Sequence, residues 1–315
     1  MTAPDPDVAA GAAPDPDVAA GAAPDPDVAA GAAPDPDVAA GAAPDPNVAA
    51  GVAPEADLTG WAAAPFTAAG YTHDVYRKGE GPGVVLIPEM PGVHPGVLAL
   101  GDHLVEAGFT VAIPSLFGTP GAAPMRPGMV PVMLRGCVAK EFAAFATNAD
   151  RPVAHYLRAL ARDLNAQTPG KGVGVIGQCF TGGFALAAAV DDSVLAPVLS
   201  QPSLPLPLTP KQRRDPGLSE AELKVVERRA ADEGLCALGL RFSKDPLVPA
   251  ERFKTLKDRL GDAFEVIEID SGKGNEHGFG AMAHSVLTLE LRHQEGHPTD
   301  AALKRVVAFL RERLV

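Results

Sequence analysis

Cys179, Asp245 and His277 are the residues whose types and chain order suit nucleophilic chemistry. Cys179 sits in Gly177-Gln178-Cys179-Phe180-Thr181-Gly182-Gly183, between an apolar run (Val173 to Ile176) and an alanine-rich stretch (Phe184 to Val190). That pattern predicts strand, sharp turn and helix, which lifts a nucleophile to the top of a sheet at the N-terminal end of a helix. Free backbone N–H groups and the helix dipole there favour a thiolate and a developing oxyanion. The turn strains its backbone and crowds its neighbours, so small residues are needed, and Gly177 and Gly183 supply them. A free cysteine is more often a core thiol, but here both flanking elements fit the sharper reading.

Asp245 follows an apolar run, in Phe242-Ser243-Lys244-Asp245-Pro246-Leu247-Val248-Pro249, where an acid can orient a histidine; its plain alternative is a turn before Pro246. His277 follows the stretch Glu265–Asp270 through a glycine-rich loop and opens His277-Gly278-Phe279. The order Cys, Asp, His suits a nucleophile, an orienting acid and a base. His284 and His293 are rivals that lack a strand just before them, and His94 lies near an early loop. That loop, Pro88-Glu89-Met90-Pro91-Gly92-Val93-His94, is placed to supply a second oxyanion donor, so the Met90 and Phe180 N–H groups are the candidate pair. Glu89, a carboxylate at the end of a buried strand, either exchanges a proton with Cys179 or sits in a structural hydrogen-bond network.

The elements that must position these residues alternate. Strands are predicted at Tyr71–Arg77, Val84–Pro88, Thr110–Pro114, Val173–Gly177, Val194–Ser200, Leu235–Phe242 and Glu265–Asp270. Most are short, apolar and β-branched, as buried parallel strands are. Helices are predicted at Val97–Glu106, Val153–Asn165, Phe184–Val190, Ser219–Asp232, Ala250–Leu260 and Thr299–Leu314. The fold class is therefore α/β, a mostly parallel central sheet with helices on both faces. Two long loops, Ser115–Val130 and Gln201–Gly217, follow strands on the ligand-binding edge and read as covers.

Residues 3–52 are five near-identical copies of Ala-Pro-Asp-Pro-Asp-Val-Ala-Ala-Gly-Ala. Two prolines per period block helix and ladder alike, so residues 1–58 are expected to be a disordered repeat tail ahead of one domain at 59–315. Residues 1–57 carry eleven acids and no Lys or Arg; the other 28 acids nearly balance the 27 basic residues. The net charge of −12 belongs to the tail and says nothing of the substrate. It argues against nucleic acid, which wants a clustered basic face. Three cysteines do not make a disulfide scaffold, and neither a secretory signal nor a membrane-spanning run is present, so a cytoplasmic setting is expected.

At the Glu89 loop, Gly-Gln-Cys-Phe around Cys179, Asp245-Pro-Leu-Val-Pro and His277-Gly-Phe, the chain resembles the dienelactone hydrolase family, over roughly residues 65–315. The resemblance implies an α/β-hydrolase fold and hydrolysis of a small ester or lactone. It also implies Cys179 as nucleophile, His277 as base, Asp245 as orienter and Glu89 as the acid that gates the thiol. Thr181 departs from the glycine usual two residues after the nucleophile. Members acting on the dienelactone hold its carboxylate with arginines, one near the histidine; here Gly280-Ala281-Met282 has none, leaving Arg126 or Arg135 as substitutes.

Two other patterns are set aside. Gly172-Val-Gly174-Val-Ile-Gly177 matches a dinucleotide fingerprint, but its glycines lie inside the strand rather than after it. His293-Gln-Glu-Gly-His297 misplaces the glutamate of a zinc helix. The reading is a hydrolase that needs no cofactor or metal and acts on a small molecule through an acyl-thioenzyme. Its alternative is a catalytically silent binding protein of the same fold.

Overall fold

The computed structural model describes residues 57–123 and 129–315, so the expected repeat tail and Arg126 lie outside the described residues. Along the described chain run β1 (Ala62–Ala68), β2 (Tyr71–Lys78), β3 (Gly83–Ile87), α1 (Pro95–Glu106), β4 (Thr110–Pro114), α2 (Met129–Val138) and α3 (Pro152–Gln167). Then come β5 (Val173–Gln178), α4 (Phe184–Ala188), β6 (Val194–Ser200), α5 (Pro210–Arg214), α6 (Glu220–Glu233), β7 (Ala237–Phe242), α7 (Ala250–Leu260), β8 (Phe264–Ile269) and α8 (Pro298–Leu314). The strands form one sheet in the order β1-β2-β4-β3-β5-β6-β7-β8. β2 pairs antiparallel with β1 and β4, and every other pairing is parallel.

Burial explains the order. β3, β5 and β7 are buried at every position, as centre strands covered on both faces must be. One face packs on α3, α4, α6 and α7 through Leu157, Leu160, Leu186, Leu223 and Leu256. The other packs on α1 and α8 through Val97, Leu104, Leu303, Val306 and Leu310. The strand order turns around at β3 and β5, and the crevice beyond such a turning point is where this architecture binds ligands. Glu89 and Met90 leave β3 there, and Cys179 leaves β5.

Three elements escape the sequence pattern. β1 is largely exposed, rich in alanine and interrupted by Pro65, which an edge strand tolerates because half of its ladder is open. α5 lies within Gln201–Gly217, read as a loop, and α2 begins at the end of the other loop, Ser115–Val130, and runs on to Val138, where no helix was predicted. α5 starts with Thr209 as N-cap, Pro210 in the first turn and a reciprocal bond from Gln212, a start signal hidden among prolines.

The second of those stretches is clamped rather than loose. The buried Arg252 guanidinium donates to the carbonyls of Pro202 (2.5 Å), Pro205 (2.6 Å), Gln212 (3.1 Å) and Asp215 (2.8 Å). Burial pushes Arg252 down to about 10, so it keeps its charge at neutral pH. Arg151, equally buried, binds the carbonyls of Gly217, Phe142 and Ala146. Gln201–Gly217 is thus pinned to the body by two buried cations and does not behave as a free lid.

Candidate active site

The turn after β5 is a strained elbow. Cys179 has φ +50°, a value that a side chain rarely adopts, and it heads a single 3-10 turn, Cys179–Thr181, that runs on toward α4. A Cβ on Gly177 would stand 2.4 Å from the Thr181 carbonyl oxygen, and one on Gly182 would stand 2.5 Å from the Cα of Pro202. Gly177 and Gly182 are therefore obligatory, whereas a Cβ on Gly183 finds its nearest neighbour at 3.5 Å. The small residue that the turn needs is Gly182, not Gly183.

Thr181 turns its departure from glycine into a tie. Its buried hydroxyl accepts from the Gln178 N–H at 3.0 Å and lies within donating distance of the Gln178, Ile87 and Pro88 carbonyls (2.9, 3.2 and 3.2 Å). The elbow is thereby pinned to the end of β3, where Met90 begins the facing loop. Among the described residues, neither the Met90 nor the Phe180 N–H donates to a protein acceptor. Both candidate oxyanion donors remain available. Phe180, Phe117 and Phe142 make edge-to-face contacts beside Cys179, with centroids 5.3 to 6.1 Å apart.

Asp245 lies where expected, on the turn after β7 and buried, its Oδ1 accepting the Leu247 N–H at 2.9 Å. Its other oxygen meets a histidine, but that histidine is His284, whose Nδ1 stands 2.5 Å from Asp245 Oδ2. The remaining ring nitrogen, Nε2, is buried and has no aligned hydrogen-bond partner among the described residues, while Cys179 lies close enough to act on the charge of the ring. Burial alone would lower this imidazole. The Cys179 charge, the Asp245 hydrogen bond and the contact with Cys179 outweigh it and raise the ring from 6.5 to about 11. A ring so shifted keeps its proton through the neutral range.

His277 is not in this group. It is exposed, with its ring edge-on to His297 at 5.1 Å. It borders a surface hollow of about 560 Å³ that is also lined by Glu268, Asp270 and Pro298. The physical reason lies in its neighbours. Phe279 buries itself against Phe242 (4.8 Å between centroids) and leaves His277, between Glu276 and Gly278, facing solvent. His284 instead precedes Ser285, Val286 and Leu287, all buried, which hold the chain against the core. That run of buryable residues is the signal the sequence offered for His284; proximity to a strand was the wrong guide.

Glu89 is 2 % exposed, and its carboxylate is held by four residues. Ser285 Oγ donates at 2.7 Å, Gln201 Nε2 is at 3.3 Å, Thr288 Oγ1 donates to the other oxygen, and His94 Nε2 is 3.2 Å away. His94 Nδ1 accepts the Gly96 N–H, capping α1, so Nε2 carries the proton that Glu89 receives. Burial would raise Glu89, but the His94, Thr288 and Ser285 hydrogen bonds more than offset it and hold the acid below the ordinary carboxylate range. Among the described residues none of these bonds goes to Cys179, so the structure gives Glu89 the network rather than the thiol as its partner. Arg135 is exposed on α2. Among the described residues, no three of the His, Cys, Asp and Glu side chains converge as a metal site, and no helix is long and apolar enough to cross a membrane.

Comparison with known proteins bears on this geometry. A dienelactone hydrolase-like promiscuous phosphotriesterase from metagenomic libraries is 18% identical with TM-score 0.55, covering 81% of this chain and 98% of its own. The α/β hydrolase GrgF from Penicillium is 14% identical with TM-score 0.54, over 80% and 98%. A dienelactone hydrolase from Anabaena variabilis is 16% identical with TM-score 0.51, over 81% and 98%. At these identities the likeness establishes the fold. No curated protein matches the chain. The profile of the dienelactone hydrolase family matches residues 69–314, so the chain belongs to the dienelactone hydrolase family.

Proposed function

We propose that this carboxylic ester hydrolase cleaves a small ester or lactone through Cys179, His284 and Asp245, with an acyl-thioenzyme between two half-reactions. The observation that carries the reading is the Asp245–His284 hydrogen bond on a ring that Cys179, held on a strained elbow, helps to keep protonated. The Cys179 thiolate attacks the substrate carbonyl carbon, and the carbonyl oxygen becomes an oxyanion facing the Met90 and Phe180 N–H groups. The carbon–oxygen bond of the ester breaks as His284 gives its proton to the leaving oxygen. Water then loses a proton to His284 and attacks the thioester, and the acid leaves with the thiolate restored. Asp245 keeps the ring in the orientation that serves both steps. In a lactone the leaving hydroxyl stays tethered to the acyl group and can re-close, so deacylation must outrun that return.

Phe117, Phe142 and Phe180 stand on the Cys179 side and offer the acyl group apolar surroundings. The test is intact-mass spectrometry after mixing with p-nitrophenyl acetate and a panel of lactones. One acyl group on the Cys179 peptide is expected, with loss of turnover in Cys179→Ala. An unchanged rate in Cys179→Ala would overturn the reading, and binding without turnover would favour the silent binder.

A further inference from the structure

Resting on the assignment of Cys179 as nucleophile, we infer that Ser203 is a further catalytic residue, whose hydroxyl donates a hydrogen bond to the Cys179 sulfur and stabilises its thiolate form relative to the thiol. Ser203 Oγ lies 3.6 Å from Cys179 Sγ, within the range of a hydrogen bond to sulfur. It is 3 % exposed, and the sulfur is its one hydrogen-bond partner among the described residues. A buried hydroxyl without a partner is costly. A neutral thiol is a weak partner and a thiolate a strong acceptor, so this placement favours the charged sulfur.

The segment bearing Ser203 is held against the elbow from three directions. The Ser203 N–H donates to the Cys179 carbonyl at 2.9 Å. Gly182 lets Pro202 approach so closely that a Cβ would meet its Cα at 2.5 Å. Arg252 grips the carbonyls on either side of Ser203, those of Pro202 and Pro205. A buried guanidinium, a close backbone approach and a backbone hydrogen bond thus fix one hydroxyl on one sulfur. Mere filling of space would not require the polar atom to face the sulfur. This also assigns a task to the loop after β6: it supplies a donor to the resting nucleophile. The bond weakens once the sulfur is acylated, because a thioester sulfur carries no charge, so the hydroxyl acts on the free thiolate rather than on the acyl-enzyme.

The experiment is the pH dependence of iodoacetamide alkylation, read by mass spectrometry on the Cys179 peptide so that Cys137 and Cys236 do not contribute. It compares the wild type, Ser203→Ala and Ser203→Thr, with melting temperatures recorded for each. Ser203→Ala should move the midpoint up by about one pH unit, the size expected for one hydrogen bond to a charged group. Ser203→Thr, which keeps the hydroxyl, should restore it. An unshifted midpoint in Ser203→Ala overturns the inference, as does an equal shift in both variants, which would mark a packing effect. The readout is independent of turnover. A shift found while Cys179→Ala retains full esterase activity would uphold the Ser203–Cys179 bond and sink the proposed function instead.

Discussion

The two sides of the Cys179–His284 contact are built by different means. On the Cys179 side the parts are neighbours in the chain: Gly177 and Gly182 admit the turn, and Thr181 locks it from two residues away. On the histidine side, the chain from Asp270 to His297 forms neither helix nor strand and is held by distant tethers. Asp245 fixes the ring, Glu89 takes the hydroxyls of Ser285 and Thr288, and Gln201 Oε1 accepts the Val286 N–H at 3.3 Å. One half of the candidate site is a local conformation and the other is a long loop sewn down at three strand ends. Changes at the elbow glycines should therefore act through steric strain in the turn itself, and changes in the loop by loosening the tethers that hold His284.

The largest expected effect separates the two histidines. His284→Ala should lower kcat/KM for p-nitrophenyl acetate by roughly a thousandfold, the scale of a lost acid–base group. His277→Ala should stay within about twofold of the wild type, since its ring lies outside the group. The reverse ranking in a steady-state assay would break the comparison.

The same contrast decides what was legible beforehand. Cys179 could be found because its elbow is written in consecutive residues, and Asp245 because β7 ends shortly before it. The sheet was legible for a like reason: buried parallel strands are apolar runs. β1, with its alanines and Pro65, carries no such mark. His284 stood only as a rival because the buried run after it marks a residue held to the core but not the acid it meets; Asp245 lies 39 positions earlier in the chain. Glu89 was recognised as a costly buried carboxylate, but its partners, nearly two hundred positions away, become visible only once folded. The prolines of Gln201–Gly217 suggested a cover, whereas the clamp that holds it comes from Arg252 in α7 and Arg151 before α3.

A pair of glycines tests the nucleophile side. Gly182→Ala should cost about 1–3 kcal/mol in urea unfolding, because its Cβ would strike the backbone of Pro202 and the elbow cannot yield. Gly183→Ala, one residue on, has room and should cost about 0.5 kcal/mol or less. Equal costs would mean that the turn is not sterically determined.

On the loop side, Ser285→Ala removes one donor to a carboxylate that keeps three others. About 1 kcal/mol of stability should go. Amide hydrogen exchange should quicken around His284 more than around Cys179, because the tether belongs to the loop. Uniform quickening across both would show that the two sides share one cooperative unit.

The smallest effect expected is an absence of titration near neutrality, and it tests the contact itself. The His284 pKa is raised from 6.5 to about 11, so in the folded protein the ring holds its proton throughout the neutral range and gives it up only as pH nears the higher value. Acylation uses that proton for the leaving oxygen, so single-turnover acylation should show no step at 6.5 and should decline only in strongly alkaline solution. Asp245→Asn removes one of the two charges that raise the ring and leaves burial, which lowers it, less opposed. The alkaline decline should then move toward neutrality. A wild-type step near 6.5 would mean that His284 rests neutral and that the sulfur and the ring are not charge-coupled, leaving the elbow and the loop as neighbours without a shared proton.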